Sequence, residues 1–227
     1  MWNGKNKAVT FSYDDGVTQD IQLVNLFNKY GLKCTFNLNS GLMNKSGEFE
    51  IKGQKIRRME SDGLSSLYRG HEIAVHTAHH VDLTKLSDEE VMREIADDKL
   101  RLEEIFGCEV VGMAYPYGAV DDRIMKIAAE CGIRYARTTM DIFGFNIPEN
   151  LMSLRASCRH RFENINKLID EFLAYKGNEP KILNIWGHSY EFDVDGSWQV
   201  MEKICSRLSH NDDIFYGTNM EVYLPEI

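Results

Sequence analysis

A parallel α/β barrel is the fold class that the sequence predicts, on three observations. Strand-like and helix-like segments alternate along all 227 residues, no glycine-rich phosphate loop follows the first strand, and the reactive side chains fall just past the ends of several strands. An open, doubly wound sheet fits the alternation equally well, but it gathers function in one crevice at a switch in strand order. Polar residues spread over several strand ends favour the closed form. With 43% hydrophobic and 11% aromatic residues, a chain of this length can bury roughly 70% of its unfolded surface. One domain over 1–227 is expected, without repeats or a Pro/Ser-rich linker.

Residues 7–11 read as the first strand. A helix follows over 18–30, with Ile21, Leu23, Val24 and Phe27 as its apolar stripe and Gly31 at the stop position. Residues 34–38 give the second strand. Between 39 and 70 the alternation lapses, and 48–56 reads as a hairpin turning at Gly53, within an insertion of about 44–62 that overhangs the strand ends. Residues 72–75 form the third strand. Ser87-Asp88-Glu89-Glu90 is a capping box opening a helix that runs to Phe106, and 110–115 is the fourth strand. Helices are then expected at 121–131, 162–175 and 197–208, with strands near 134–138, 152–155, 181–186 and 214–216. That makes about seven or eight βα units.

The bulk numbers narrow the partners. A net charge of -9 repels nucleic-acid backbones and anionic membranes, so a neutral or cationic small molecule fits better. The five cysteines, Cys34, Cys108, Cys131, Cys158 and Cys205, are odd in number and scattered, with no C-x-x-C pair, and read as reduced thiols. No apolar run approaches the ~20 residues of a membrane span, and no signal-peptide core follows Met1. A cytoplasmic location is the expectation, although a chain trimmed of its leader would read the same way.

Two stretches carry the chemistry. Ser12-Tyr13-Asp14-Asp15-Gly16 supplies paired carboxylates, and His76-Thr77-Ala78-His79-His80 supplies imidazoles four residues apart. Asp15, His76 and His80 make a three-ligand set that leaves metal coordination open for water. Adjacent strand residues point apart, so Asp14 shares this site only if the chain turns, and Gly16 permits the turn. Asp14 is then free to act as a base. Taken singly, the first stretch is as easily a polar turn before a helix and the second a solvated loop; together they are far harder to dismiss. His188 ends an apolar strand, where a neutral-range imidazole suits proton donation, or simply a hydrogen-bonded strand end. Tyr13, Tyr115, Tyr117, Trp186, Tyr190 and Trp198 are candidates for stacking on sugar faces, with core packing as the plainer alternative.

These residues, in this order, resemble the polysaccharide deacetylase family, the NodB-homology group of carbohydrate esterases (family 4). Phe11 to Gly16 is similar to its T-F-D-D-G segment, His76 to His80 matches H-[ST]-x-x-H, Tyr115-Pro116-Tyr117-Gly118 resembles the end of R-x-P-Y-G, and Leu183 to His188 resembles the last histidine motif. The resemblance implies a distorted (β/α)7 barrel. It implies that Asp15, His76 and His80 hold zinc or a similar divalent ion (cobalt, manganese, nickel), that Asp14 is the general base, and that His188 is the general acid. The Tyr117 amide would help to hold the oxyanion.

The sequence departs from that pattern at Ala114, where the family usually has an arginine that orients the base and lowers its pKa. Another arginine is expected to serve Asp14, Arg155 first and Arg137 second. The family's Asp-Trp motif is not evident either. Ser157-Cys158-Arg159-His160 occupies that region, making Cys158 and His160 candidate pocket residues, with burial the commoner fate of a cysteine.

The reading is a metal-dependent deacetylase removing an N-acetyl group, or secondarily an O-acetyl group, from a carbohydrate. Its rivals are hydrolysis of a small non-sugar amide and a carbohydrate-binding protein with a vestigial site. An iron oxygenase would suit the three ligands but leaves Asp14 and His188 without a role. The sequence is silent on oligomeric state.

Overall fold

The computed structural model describes residues 1–44 and 48–225. In chain order its elements are β1 (Lys7–Asp14), α1 (Asp20–Lys29), β2 (Thr35–Leu38), β3 (Glu48–Ile51), β4 (Gln54–Arg57), α2 (Leu64–Leu67), β5 (Glu72–Val75), α3 (Asp88–Phe106) and β6 (Gly112–Ala114). There follow α4 (Asp122–Glu130), β7 (Tyr135–Asp141), β8 (Leu154–Ala156), β9 (Cys158–Arg159), α5 (Ile165–Ala174), β10 (Lys181–His188), α6 (Tyr190–Asp195), α7 (Trp198–Leu208), β11 (Ile214–Tyr216) and α8 (Asn219–Tyr223).

Nine strands form one sheet in the order β8-β7-β6-β5-β2-β1-β10-β9, with β11 added beside β1. Every pairing in it is parallel. The sheet closes because β8 and β9 are successive halves of one stretch divided at Ser157. β8 pairs with β7, β9 pairs with β10, and the Ser157 N–H donates to Asn184 O at 2.9 Å. Counting that stretch once, the staves are β1, β2, β5, β6, β7, β8–β9 and β10, so the fold is a (β/α)7 barrel. Its distortion lies between β1 and β2. They pair only over Ser12 to Asp14, while β11 is wedged against Lys7 to Val9.

Barrel staves covered by helices are buried on both faces and read as continuous apolar runs. β1 shows this, with all eight residues buried. The capping box predicted at Ser87 is present, Ser87 and Glu90 satisfying each other's backbone N–H, and Gly107 ends α3 in the left-handed conformation. The hairpin is β3–β4, antiparallel with Ile51 opposite Gln54; positions 45–47 of the predicted insertion lie outside the described residues. Its Ile56 packs with Val17 and Tyr190 in a small apolar cluster of their own.

The strand ends differ from expectation where it matters most. β1 runs three residues further than 7–11, to Asp14, and β10 runs to His188. Asp14 lies in register with both Asn37 and His188, so these polar residues continue the ladder rather than sit in loops. Pattern reading stops a strand where polarity begins, whereas hydrogen bonding continues it. The short helices α2, α6 and α8, of four to six residues, were too brief to show periodicity. No helix among the described residues is long and apolar enough to cross a membrane.

Candidate active site

The carboxyl ends of β1, β5, β6, β7, β9 and β10 surround a cleft of about 580 Å³. Its floor is the predicted carboxylate pair. The chain turns one residue earlier than Gly16 alone would require: Asp15 itself has φ +86° and Gly16 φ +60°. A left-handed aspartate is uncommon and needs support. Here the Asp15 N–H bonds Asn37 O at 3.0 Å, and Arg58 donates to the Asp15 carbonyl, to Oδ1 at 3.0 Å and to Asn39 Oδ1 at 2.7 Å.

The histidine stretch also uses left-handed residues, Thr77 and His80, and brings both imidazoles towards Asp15. His76 Nε2 and His80 Nε2 lie 3.9 and 3.5 Å from Asp15 Oδ1. The backbone carrying them is pinned. Asn39 Nδ2 donates to His76 O at 2.5 Å and Thr77 O at 2.8 Å, and the buried Asp98 accepts from the N–H groups of His76 (3.1 Å) and Ser40 (2.7 Å). His76 Nδ1 lies 2.7 Å from Ala114 O. A carbonyl there can only accept, so Nδ1 carries the proton and Nε2 presents its lone pair to Asp15. His79 points away, with Nδ1 2.8 Å from Glu94.

The donor set suits a divalent metal. One ligand atom each from Asp15, His76 and His80 lie within 4.8 Å of one another, two borderline nitrogens and a hard oxygen. Burial outweighs the neighbouring carboxylates and lowers the His76 pKa to about 4, and lowers that of His80. Both are therefore neutral donors at pH 7. Burial would raise the Asp15 pKa, but Arg58, His188, His76 and His80 bring it to about 2, so its carboxylate is ionised.

Asp14 is held differently. The arginine beside it is Arg137, whose Nη2 bonds both carboxylate oxygens (2.6 Å to Oδ2), while Nε donates to Ser12 Oγ at 3.0 Å. Asn37 Nδ2 adds a bond of 2.8 Å to Oδ1. Burial opposes ionisation here, but Arg137, followed by His76 and His188, wins and lowers the Asp14 pKa. Arg155, expected first for this position, is not brought to Asp14. In β8 Leu154 and Ala156 are buried and Arg155 between them is exposed, because successive strand residues face opposite sides. Arg155 lines a separate cavity with Asn146, Glu149 and Ser153. Ala114 is the register partner of Arg137, so the cation has moved one strand sideways at the same height.

His188 faces both carboxylates, with Nε2 4.0 Å from Asp14 Oδ2 and 3.9 Å from Asp15 Oδ2. Its other nitrogen, Nδ1, lies 3.5 Å from Glu191 Oε2. Burial would lower the His188 pKa, but Glu191, Asp15 and Asp14 together raise it. Glu191, on α6, was not singled out in the sequence; the available signal was a carboxylate three residues after His188. It is buried, and Arg161 bonds it at 2.8 Å alongside Arg159. Cys158 and His160 do not line the cleft: Cys158 is in the core, and His160 is stacked at 5.6 Å on Tyr13 and packs, tilted, at 4.3 Å against Phe192. The residue between them, Arg159, does line it.

Tyr115, Tyr117, Trp186 and Tyr190 line the cleft, whereas Tyr13 is core and Trp198 packs on Phe192. Tyr117 stands 64% exposed at the lip, its ring 4.8 Å from that of His80. Gly118 after it is required by space: a Cβ would lie 2.7 Å from the Thr139 nitrogen.

A barrel with an Asp-His-His metal-type cluster at its carboxyl mouth, flanked by a spare ionised aspartate and a histidine whose pKa is raised, has the equipment of a metal-dependent hydrolase. The chain belongs to the polysaccharide deacetylase family, whose sequence model matches residues 3–136. Chitin deacetylase 1 of Cryptococcus neoformans var. grubii is 30% identical over 124 residues, covering 54% of this chain and 23% of that protein. A peptidoglycan-N-acetylglucosamine deacetylase of Bacillus cereus is 29% identical over 128 residues, covering 56% and 54%. The matches thus span about half of these relatives or less. Among solved structures, the Xyl-CE4 domain of a multidomain xylanase from the hindgut metagenome of Trinervitermes trinervoides superposes with a TM-score of 0.62 at 19% identity, over 97% of this chain and 90% of that one.

Proposed function

We propose that this protein is a metal-dependent deacetylase that removes an N-acetyl group, and secondarily an O-acetyl group, from a carbohydrate, its 227 residues acting as one catalytic domain. The observation that carries the reading is Asp14, a buried carboxylate kept ionised by Arg137 and left outside the ligand set formed by Asp15, His76 and His80. The relative named for N-acetylglucosamine is the reason for placing N-acetyl first.

A divalent ion on Asp15, His76 and His80, zinc foremost and cobalt, manganese or nickel as alternatives, would supply the charge that polarises the acetyl carbonyl and the attacking water. Asp14 accepts the proton that the water loses. The Arg137 pair keeps it ready for this over a wide pH range, and the same pair makes it a weaker base. An amine is a poor leaving group until protonated, and His188, whose pKa Glu191 and the two aspartates raise, faces the same cleft to donate that proton. The Tyr117 backbone N–H is the candidate donor to the developing oxyanion, a role that needs no particular side chain. The exposed Tyr117 and, at the cleft wall, Tyr190 offer apolar faces for a sugar ring, whereas the Trp186 ring is covered by the guanidiniums of Arg137 and Arg159.

The test is acetate release from a panel of N-acetylated and O-acetylated oligosaccharides by metal-loaded protein. Activity on N-acetylated members supports the proposal. A loaded protein inert on every sugar would end it and leave a small non-sugar amide as the substrate to try.

A further inference from the structure

The charged group nearest the ligand set, apart from its own members and Asp14, His188 and Arg137, comes from the hairpin insertion. Residues 57–59 return from β4 to pair with residues 16–18, directly after Asp15. Thr18 N–H donates to Arg57 O at 3.0 Å, Met59 N–H donates to Gly16 O at 2.8 Å, and Val17 and Arg58 form an antiparallel bridge. That register delivers the Arg58 guanidinium to the Asp15 carboxylate at 3.0 Å, with the two side chains 12% and 6% exposed. Arg58 is not among the residues lining the cleft. It therefore acts through Asp15 rather than on a substrate.

We propose that Arg58 is a positioning residue that sets, and weakens, the hold of Asp15, His76 and His80 on a divalent cation, so that the hairpin insertion tunes metal affinity. The inference rests on the metal reading given above. The outer partners of the ligands differ in sign. His76 gives its Nδ1 proton to the Ala114 carbonyl, an acceptor that makes Nε2 more basic. Asp15 instead receives a cation on Oδ1, the oxygen that also faces the two imidazoles. A divalent cation there would be separated from the guanidinium by a single carboxylate. Even with water-like screening, a unit and a double charge that close oppose binding by about ten-fold.

Loss of an outer hydrogen bond usually acts the other way, loosening a ligand. At Asp15 this effect is the smaller one, because Arg58, which also bonds the Asp15 carbonyl and Asn39 Oδ1, is one of several supports. The Asp15 N–H is bonded to Asn37 O, its backbone is set in the left-handed turn, and its side chain is buried. Glutamine at position 58 removes the charge and keeps an amide donor; lysine keeps the charge and removes the fork.

The experiment is the zinc dissociation constant of metal-free protein, measured at neutral pH by competition with a chromophoric chelator, with folding checked by circular dichroism. Arg58→Gln is expected to bind zinc about ten-fold more tightly, Arg58→Met to tighten likewise, and Arg58→Lys to stay near the wild type. Unchanged or weaker binding in the two neutral variants, or equal tightening in Arg58→Lys, overturns the proposal. Tighter binding is not a result that damage to the fold produces. His80→Ala in the same assay tests the metal reading itself. A wild type that binds no zinc ends that reading, whereas a wild type that binds zinc no differently from Arg58→Gln and Arg58→Met ends only this inference.

Discussion

Arg137→Gln removes the one arginine or lysine bonded to Asp14 among the described residues and leaves the carboxylate in place. Both side chains are almost wholly buried, at 1% and 4% exposure, so solvent cannot replace the lost partner. The guanidinium also bonds Ser12 Oγ at 3.0 Å and lies 4.6 Å over the Trp186 ring. Breaking a buried ion pair from one side costs about 3–5 kcal/mol, mostly because the remaining charge is stranded. For a chain of this size that lowers the melting temperature by roughly 10 °C. The pH dependence has a definite sign. With Arg137 the Asp14 pKa is lowered, so its stabilising contribution is present above the unfolded value and is lost as pH falls through the folded one. Without Arg137, burial dominates and the carboxyl keeps its proton to higher pH. The destabilisation should therefore be greatest at neutral pH and shrink in acid, and the acid limb of kcat/KM should move to higher pH. Calorimetry from pH 5 to 8 and a pH–rate profile on loaded protein measure both, with Arg155→Gln as the control expected to change neither. An Arg137→Gln variant with wild-type stability and an unmoved acid limb would refute the reasoning, as would an Arg155→Gln variant that shifts that limb.

Asp14→Asn should keep its metal, since Asp15, His76 and His80 are untouched, and lose about 10²- to 10⁴-fold in turnover; metal analysis beside the acetate assay checks this, and ordinary turnover would remove Asp14 as the base. His80→Ala should lose the metal while His79→Ala keeps it, because the His79 ring is turned outwards to Glu94; equal loss in both would contradict the ligand assignment. Glu191→Gln removes a group that raises the His188 pKa, so the charged imidazole is lost at lower pH. The alkaline limb of the pH–rate profile should move down, and an unmoved limb would mean that Glu191 does not act through His188.

Much of the barrel was legible because buried parallel strands and capped amphipathic helices follow separate periodicities, as β5 at Glu72–Val75 and α3 behind Ser87 show. The clustering of Asp15, His76 and His80 was legible for a different reason: His76 and His80 are close in sequence, and Asp15 sits at a strand end. What stayed hidden depended on contacts made across the barrel. Arg58 reaches Asp15 from 43 residues away through the pairing of an irregular excursion, and nothing in its local sequence marks that register. Closure through Ser157 was equally unreadable, since 154–159 changes partner from β7 to β10 in mid-stretch.

The position of the arginine shows the limit most clearly. Arg155 and Arg137 are both strand residues of the right type, and the sequence offered no distance from either to Asp14. The structure separates them by two local facts: β8 alternates so that Arg155 faces out, and β7 aligns Arg137 with Ala114. A carboxylate buried at the end of β1 needs a cation within contact, and neighbouring staves at one height share the same interior space, so a long side chain from β7 can serve where β6 offers only a methyl group. Ala114 meanwhile keeps a task that any residue can perform, since its carbonyl fixes the His76 tautomer at 2.7 Å. A motif position is therefore two requirements superposed, a backbone acceptor and a charge, and here they are met on separate strands.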